Sequence, residues 1–367
     1  MKVLFFIHCL IGGGAERVTV NLSNELASRG HDVTIVLNKN IIDYELDSRI
    51  HIDFMPDSKR RKDILRRIWG LVKSNYNDYK GTKNILKQYK PDIIIASWGS
   101  KLIPIILTHG HIPIIASEHN TFDRKHKFRE RVNRFYLNRF FDKVVVLTEY
   151  DKNFTKKYLH NTEVIPNPLT FAPISHEEYE KSFSQRKNLL ACGRIKAYHV
   201  KGFDNLIIAF SKIAHLHKDW DLDIAGAGSD ESIAYLKQIA SSNGVEERVH
   251  FLGFRKDISQ LMKSHSIFAL TSRSEGFGMV ISEAMAMGCA CVSYALTGPS
   301  EIISHQHDGL LVENQNVDKM SEALSILMSD ESLRKTLGKN ALESVRRFSC
   351  DTITDKWENL FNEVRNI

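Results

Sequence analysis

Two glutamates eight residues apart mark the segment whose residue types could best do chemistry. Glu275 lies in a loop with Gly276 and Gly278, and Glu283 follows inside a helix predicted to begin near Gly278. The first backbone N–H groups of a helix lack partners and favour an anion such as phosphate. Carboxylates are poor phosphate ligands but good acceptors for sugar and ribose hydroxyls. The segment therefore suits a ligand that is part phosphate and part polyol.

These carboxylates also have a structural alternative. Glu275 could be an acid favoured by the helix dipole, and Glu283 a solvated helix residue. Glycoside hydrolysis is less well supported, because glycosidases place two carboxylates beside the scissile bond and need no phosphate-binding loop. The predicted ligand contacts in this segment are Glu275, Gly276, Phe277, Gly278, Met279, Val280 and Glu283.

Cations that could neutralise a diphosphate follow an earlier predicted strand. Arg194 stands next to Gly193 at the end of that strand, and Lys201 precedes Gly202 at the start of the next helix. An arginine fork and a lysine point charge at a strand's carboxyl end suit a diphosphate. Further glycine-rich or charged loops follow other strands of this half, and Phe254 or Arg255 is placed to contact a nucleobase. The residues of these loops are Gly226, Gly228, Gly253, Phe254, Arg255 and the run Thr297-Gly298-Pro299-Ser300-Glu301.

In the first half, Gly12, Gly13 and Gly14 follow the first predicted strand and precede a helix. Such a loop lets backbone N–H groups approach a phosphate. A dinucleotide fingerprint is disfavoured because its third glycine is replaced by Arg17, and because the second strand runs into Asn38 and not into an acid. A tight turn that binds nothing remains the alternative.

A histidine follows another strand of the first half, in the run Ser117-Glu118-His119-Asn120. At the carboxyl end of a strand, His119 could act as a base or as a hydrogen-bond donor. A capping or purely structural histidine is an equally good interpretation of the sequence.

The elements that must position these residues alternate between short apolar runs and longer helical patterns. Predicted strands of the first half cover residues 3–7, 33–37, 93–96, 112–116 and 144–147, with helices near 15–29, 61–88, 125–140 and 149–160. Predicted strands of the second half cover 189–192, 222–225, 250–252, 267–270, 289–293 and 310–312, with helices near 202–217, 230–243, 278–287, 316–328 and 331–347. Strands buried on both faces with helices between them predict parallel α/β sheets.

The pattern divides the chain into two doubly wound, Rossmann-like domains facing across a cleft. We expect a first domain over residues 1–167, a polar linker over 168–187 and a second domain over 188–350. An amphipathic helix over 351–367 is expected to cross back to the first domain. Ligands of such sheets bind at the carboxyl ends of the strands, which predicts a site in the cleft.

Composition and charge narrow the class of protein. The chain has 367 residues, 43% of them hydrophobic and 26% charged, which is ordinary for a soluble globular protein and excludes disordered and fibrous classes. Five cysteines are too few for a disulfide scaffold and fit a reducing compartment. The apolar run over residues 3–11 is interrupted by His8 and runs into glycines in place of a cleavage site, so it predicts a buried strand and a cytoplasmic protein.

The basic charge is concentrated in the first half. The net charge is +6, and residues 57–90 hold 11 Lys or Arg against 3 Asp, while residues 122–143 hold 8 against 3 acids. Apolar side chains interleave with these cations, which favours a surface that contacts anionic lipid headgroups. Nucleic acid is disfavoured because no recognition module is visible.

Taken together, these motifs resemble those of the retaining glycosyltransferases of family 4, which have the GT-B fold. The spacing of Glu275 and Glu283 resembles the family's E-x7-E signature, and the other motifs follow in the family's order over about residues 2–350. The run from Ser117 to Asn120 is also similar to members that extend lipid-linked oligosaccharides in bacteria. The sequence departs from the family at Val200, where an acid often precedes the lysine.

The resemblance implies a nucleotide-sugar donor in the second domain and an acceptor mainly against the first. It implies that Arg194 and Lys201 stabilise the leaving diphosphate, that Glu275 holds donor sugar hydroxyls and that Glu283 holds the ribose. His119 would contact the sugar or orient the acceptor. Members retain anomeric configuration and need no metal, and the D-x-D string at residues 221–223 opens a strand. The final helix would let the cleft close.

We therefore expect a glycosyltransferase at the inner face of the plasma membrane. It would move a hexose or N-acetylhexosamine from a nucleotide diphosphate sugar, with UDP favoured, to a lipid-linked saccharide in surface polysaccharide assembly. Two alternatives stay open: a sugar-nucleotide epimerase or hydrolase of the same fold, and a protein that binds a nucleotide sugar without turnover. The basic stretches disfavour the first, and the intact set Arg194, Lys201, Glu275 and Glu283 disfavours the second.

Overall fold

The computed structural model describes residues 1–56, 64–97, 101–122, 132 and 134–366, and for residues 64–75 it describes the backbone alone. The chain forms two compact units. Unit 1 comprises Met1–Thr170 and Cys350–Ile367, and unit 2 comprises Phe171–Ser349. The C-terminal residues therefore belong to the same unit as the N-terminus.

The centre of unit 1 is a parallel sheet, whose strand order in the described residues is β3-β2-β1-β4-β5-β6-β7. Val3 of β1 pairs with Val33 on one side and with Ile93 on the other, so the chain order reverses between β1 and β4. The carboxyl edge beside such a reversal is where doubly wound sheets bind ligands. The strands are β1 Lys2–Ile7, β2 Asp32–Leu37, β3 His51–Phe54, β4 Ile93–Ser97, β5 Ile114–Ser117, β6 Lys143–Val146 and β7 Thr162–Val164.

Helices cover both faces of this sheet, because alternate strand residues point to opposite sides. Phe5 belongs to one buried cluster, and Phe6 to the other. In chain-order numbering the helices of unit 1 are α1 Gly14–Ser28, α2 Ile64–Tyr89, α3 Leu102–Thr108, α4 Glu149–Thr155 and α14 Cys350–Arg365, with a short 3₁₀ helix at Leu137–Phe140. Thr148 caps α4 by accepting a hydrogen bond from the Asp151 N–H.

Helix α14 packs against α1 through apolar and charged contacts. Trp357 and Phe361 are buried in the cluster that contains Phe5, and a buried aromatic ring stabilises the fold by roughly 1.5–3 kcal/mol. Arg29 at the end of α1 donates to Asp355 and to Glu358, both at 2.6 Å. These contacts explain why α14 is part of unit 1.

Unit 2 is built on a second parallel sheet, with the order β10-β9-β8-β11-β12-β13. Its strands are β8 Lys187–Cys192, β9 Leu222–Ala225, β10 Val249–Gly253, β11 His265–Leu270, β12 Ala290–Tyr294 and β13 Leu310–Val312. Its helices are α5 His176–Phe183, α6 Tyr198–Lys201, α7 Phe203–Ala214, α8 Asp230–Ser242, α9 Ile258–Ser264, α10 Met279–Ala286, α11 Thr297–Ile302, α12 Val317–Ser329 and α13 Glu331–Ser344. The predicted α/β class with two doubly wound parallel sheets is confirmed.

The structure corrects the expected linker at residues 168–187. Its middle forms α5, which Ser175 caps and whose Tyr179 is fully buried in unit 2. Tyr179 fills a space left by Gly288, where a Cβ atom would lie 2.6 Å from its ring. The sequence pattern does not predict this helix, because one buried ring among polar residues gives no amphipathic stripe.

The sequence pattern also does not predict several short strands and helices. Strands β3 and β7 lie at the sheet edges and are half-exposed, and α3, α9 and α11 have six or seven residues each. Segments this short give little periodic signal. The basic stretches fall partly on residues 57–63, 123–131 and 133, which lie outside the described residues, as does half of the helix predicted at 125–140.

The packing of Gly288 on Tyr179 predicts the outcome of a matched pair of substitutions. Gly288 and Gly244 both follow a helix and have φ of +74° and +70°, but a Cβ at Gly244 would meet no atom within 4 Å. Gly244→Ala should lower the free energy of unfolding by about 1–2 kcal/mol, the cost of the left-handed conformation. Gly288→Ala should lower it by a further 1–3 kcal/mol or so through overpacking, measured by urea unfolding. Equal losses would contradict the packing role of Tyr179.

Candidate functional site

The ends of three neighbouring strands in unit 2 are joined backbone to backbone. The N–H of Gly193 donates to the Ala225 carbonyl at 2.9 Å, and the N–H of Gly226 donates to the Gly253 carbonyl at 2.8 Å. A Cβ atom on Gly226 would lie 1.7 Å from the Gly193 oxygen, so this position requires glycine. Three of the predicted glycine loops therefore form one edge. Gly228 in the same loop packs on Ile195.

Lys201 and Glu275 lie in direct contact. The Lys201 Nζ donates to the Glu275 Oε2 at 2.8 Å, and the Ser272 hydroxyl donates to the same oxygen at 3.1 Å. Gly202 makes this contact possible, because its φ is +67° and a Cβ there would lie 1.8 Å from the Thr271 oxygen. The lysine turn thus rests on the end of β11, beside the loop that carries the glutamate.

The start of α10 adds backbone donors next to this pair. Gly278 is the N-cap residue with φ of +97° and, as a glycine, has no side chain that could cap the helix. A Cβ on Gly298 would lie 2.4 Å from the Phe277 oxygen, so the first turn of α11 packs closely against the same segment. Met279 and Val280 occupy the first turn and are half-buried. The first backbone N–H groups of α10 have no acceptor within the helix and could donate hydrogen bonds to a phosphate here.

The side chains of Glu283 and Phe277 are both buried, and their surroundings decide which of their atoms a ligand could contact. Glu283 is 3% exposed, so the alternative of a solvated helix glutamate is wrong. Burial raises the pKa of the Cys192 thiol, and the nearby Glu283 carboxylate raises it further, which places Glu283 close to the end of β8. The Phe277 ring is buried and packs edge-on against Phe348 at 5.4 Å, so only its backbone is available to a ligand.

Three predicted side chains of unit 2 are exposed to solvent. Arg194 is exposed and forms no ion pair with a described residue. Phe254 is 71% exposed at the end of β10. Arg255 next to it forms a bidentate ion pair with Asp257, from Nε to Oδ1 at 2.8 Å and from Nη2 to Oδ2 at 2.5 Å. Arg194 is therefore an uncompensated cation at the same strand edge as Lys201 and Glu275.

In unit 1, His119 follows β5 and is half-buried. Burial lowers its pKa to about 4, and the Asn167 side chain acts in the opposite direction. The Ser117 hydroxyl lies 3.1 Å from the His119 Nε2, while the His119 Nδ1 and the Asn167 Oδ1 are buried atoms with no well-formed hydrogen bond to a described residue. His119 is therefore a neutral imidazole at pH 7. Sequence reasoning missed Asn167, whose only signal was a polar residue shortly after β7.

A buried ion pair fixes the loop that carries His119. The Arg134 Nε lies 3.0 Å from the Glu118 Oε2, and Arg134 is 1% exposed. The Asn138 amide donates to the other Glu118 oxygen at 2.8 Å. The guanidinium also donates to the Thr121 carbonyl at 2.8 Å. Glu118 is thus a structural residue. Arg134 was missed because its partner lies 16 residues away and no motif links them.

The loop of Gly12, Gly13 and Gly14 lies in unit 1 and opens α1. Gly13 is the N-cap residue, and a Cβ there would lie 1.9 Å from the Glu16 Oε2. A carboxylate therefore already lies at the positive end of this helix. A phosphate could bind at this loop only if the Glu16 side chain moved away.

The burial of His119 predicts its titration. Because its pKa of about 4 lies below the ordinary value of 6.5, the unfolded chain binds more protons between these values, and His119 lowers stability as the pH falls from 6.5 to 4. The imidazole should stay neutral at pH 5 in a two-dimensional NMR titration. Asn167→Ala should lower the pKa further. The free energy of unfolding of His119→Gln should fall less steeply over this range than that of the wild type, and a pKa near 6.5 would contradict the assignment.

Two family models match the chain. The family described as "Glycosyltransferase Family 4" matches residues 12–170, and "Glycosyl transferases group 1" matches residues 176–344. The two matches fall on the two units and leave only the linking residues and the chain ends outside.

Individual proteins of known sequence or structure are similar over the whole length. An uncharacterized glycosyltransferase of Haemophilus influenzae is 27% identical and covers 98% of this chain and 100% of its own length. A Campylobacter jejuni alpha-1,4-N-acetyl-D-galactosaminyltransferase, named for a diphospho-undecaprenol-linked substrate, is 27% identical over 100% of this chain and 99% of its own.

A solved structure of the Anabaena protein HepE, in complex with UDP and glucose, superposes with a TM-score of 0.77 at 20% identity and covers 99% of this chain and 100% of that one. This likeness supports the GT-B fold. The chain therefore combines a Glycosyltransferase Family 4 domain with a Glycosyl transferases group 1 domain, and it is a glycosyltransferase of the GT-B fold.

Proposed function

We propose that this glycosyltransferase moves a hexose or N-acetylhexosamine from a nucleotide diphosphate sugar to a hydroxyl of a lipid-linked saccharide, with retention of configuration. The observation that carries the proposal is the pair of Lys201 and Glu275 beside the start of α10, whose N-cap residue is a glycine without a capping side chain. It sets a phosphate-binding cation and a hydroxyl-binding carboxylate at adjacent positions. A nucleotide sugar is a ligand that needs both next to each other.

The donor site is proposed to work by electrostatic stabilisation of the leaving group. Arg194 and Lys201, with the first N–H groups of α10, would stabilise the charge that develops on the diphosphate. Glu275 would accept hydrogen bonds from donor sugar hydroxyls, and Glu283 from the ribose. This arrangement neutralises the diphosphate with protein cations, so we propose that the reaction needs no metal.

The nucleobase is proposed to lie at the end of β10. Phe254 offers an exposed ring there, and Arg255 is held beside it by Asp257. We favour uracil as the base, because HepE, which shares this fold, is solved with UDP bound.

The acceptor hydroxyl is proposed to meet His119. A neutral imidazole has one nitrogen that accepts a hydrogen bond from a hydroxyl and one that donates to the sugar, whereas a permanently charged side chain offers only one of these two functions. The loop of Gly12, Gly13 and Gly14 is proposed to bind the nucleotide-sugar donor through its backbone N–H groups once Glu16 moves. A lipid-linked acceptor is favoured by the relative from Campylobacter jejuni, which is named for such a substrate. The pathway we propose is bacterial surface polysaccharide or glycan synthesis.

A lipid-linked acceptor requires access to a membrane surface, and none of the described helices meets the length and hydropathy that a transmembrane span needs. We propose peripheral binding to the inner face of the plasma membrane. Its described support is apolar exposure in unit 1. Ile103 and Leu107 share one face of α3, Tyr136 and Phe140 lie at the adjoining 3₁₀ helix, and Arg139 beside them is exposed. Apolar side chains next to a cation fit an anionic lipid surface.

A screen of UDP-, GDP- and ADP-sugars on the wild type and on Glu275→Ala tests the donor site. The wild type should bind one nucleotide and release it slowly from its sugar, with EDTA present. Glu275→Ala should lose at least about a hundredfold in rate, because a hydroxyl acceptor that orients the sugar is removed. Glu322→Ala, an exposed glutamate on α12, serves as the matched control and should leave the rate unchanged.

The screen also separates the alternatives. Binding without release would support the protein that binds without turnover, and release without transfer to a lipid-linked acceptor would support the hydrolase or epimerase. No binding to any nucleotide sugar would remove the donor-site assignment. NMR of the product linkage reports whether configuration is retained.

Sedimentation with vesicles of anionic phospholipid at low salt tests the membrane surface. The wild type should co-sediment, and the double variant Ile103→Ser/Leu107→Ser should lose most of this binding while keeping nucleotide-sugar release. The matched control is Leu216→Ser/Ile326→Ser in unit 2, since these side chains are 65% and 52% exposed against 64% for Leu107 and 55% for Ile103. Equal loss in both variants, or no binding by the wild type, would end the proposal for this surface.

A further inference from the structure

Arg273 donates hydrogen bonds from both terminal nitrogens of its side chain, and from its backbone N–H, to residues on either side of Lys201. Its Nη1 donates to the Asp204 Oδ1 at 2.8 Å and also to the His199 carbonyl. Its Nη2 donates to the Asp204 Oδ2 at 2.9 Å and to the Asn205 Oδ1 at 2.9 Å. The backbone N–H of Arg273 donates to the Val200 carbonyl at 2.8 Å. The side chain is 19% exposed, so these bonds are well shielded from water.

The acceptors of Arg273 lie on both sides of Lys201. His199 and Val200 precede the lysine, while Asp204 and Asn205 stand in the first turn of α7 after it. Arg273 itself stands two residues before Glu275, in the loop after β11. One guanidinium therefore ties the turn that carries the lysine to the loop that carries its glutamate partner.

We propose that Arg273 is a positioning residue for the donor site, an inference that rests on the proposed function. It holds Lys201 and Glu275 at their 2.8 Å separation without contacting the donor itself. A lysine side chain has four flexible carbons and loses rotamer entropy when it binds an anion. Fixing its backbone on both sides reduces the freedom that remains to be lost, so the cation is in place when the diphosphate arrives.

Arginine is required at this position for a geometric reason. The four hydrogen bonds of its two terminal nitrogens diverge toward a carboxylate, an amide oxygen and a backbone carbonyl. A lysine ammonium keeps the charge but cannot make the two parallel bonds to Asp204. Arg273→Lys therefore tests the geometry of the cluster separately from its charge.

Binding of UDP by isothermal titration calorimetry tests the proposal. Arg273→Lys should weaken UDP affinity by about tenfold or more, through displacement of Lys201. In the background of Lys201→Met, the same substitution should weaken it by less than about twofold, because two changes that act through one group are not additive. Hydrogen exchange of the amides of residues 199–205 should be faster in Arg273→Lys than in the wild type.

Arg248→Lys is the matched control in the same unit. Arg248 also makes several bonds, to the Ala214 and His217 carbonyls at 2.7 and 2.6 Å and to Asp221 at 3.3 Å, but it precedes β10 and so lies at the opposite end of the strands. It should lose thermal stability and keep UDP affinity.

The outcomes distinguish this inference from the proposed function. Wild-type protein that binds none of UDP, GDP and ADP would overturn the donor site and this inference with it. Wild-type binding with equal affinity in Arg273→Lys would overturn the inference alone. Additive losses in the double variant, or an equal loss of affinity in Arg248→Lys, would also overturn it, because the effect would then not pass through Lys201.

Discussion

The site in unit 2 depends on backbone contacts that are too close for any side chain. At Gly202, Gly226 and Gly298, a Cβ atom would lie 1.8, 1.7 and 2.4 Å from the carbonyl oxygen of a loop that follows a different strand. All strands of the sheet are parallel, so their carboxyl ends meet at one edge and the loops there compete for the same space. Glycine at these three positions allows the close approach because it has no Cβ atom. The contact between Lys201 and Glu275, which are 74 residues apart, exists because these loops lie so close.

Two of the cations at this edge are already paired before any ligand arrives. Lys201 is paired with Glu275 and Arg273 with Asp204, while Arg194 is exposed and has no ion pair with a described residue. We expect an edge with paired and unpaired charges side by side to discriminate among anions. It favours a ligand that offers phosphate oxygens to the cations and hydroxyls to the carboxylates together. That requirement connects the electrostatics of the site to its proposed choice of a nucleotide sugar.

In unit 1, the charged residues of the loop after β5 stabilise the fold, while His119 on the same loop is uncharged. The ion pair of Glu118 and Arg134 is buried and fixes the backbone of the loop after β5. His119 on that loop is kept neutral by burial. A loop fixed by its own ion pair can present an uncharged imidazole at a defined position. This arrangement suits a group that exchanges hydrogen bonds with hydroxyls.

The sequence alone determined the main strands of both sheets, because their runs of apolar residues are long and buried on both faces. It also determined the candidate loops, since glycines and charges at strand ends are visible without coordinates. It did not predict the half-exposed edge strands β3 and β7 or the helix α5, whose burial rests on one ring, Tyr179. Their patterns are too short or too mixed for periodicity to report.

Only the tertiary structure decided which charged residues meet. Nothing in the local sequence links Arg273 to Asp204, which lies 69 residues before it, or marks Asn167 as the neighbour of His119. Residue type and spacing report what a segment can do by itself. Hydrogen-bond partners and the burial that shifts a pKa depend on contacts between distant segments, which exist only after the sheets have formed.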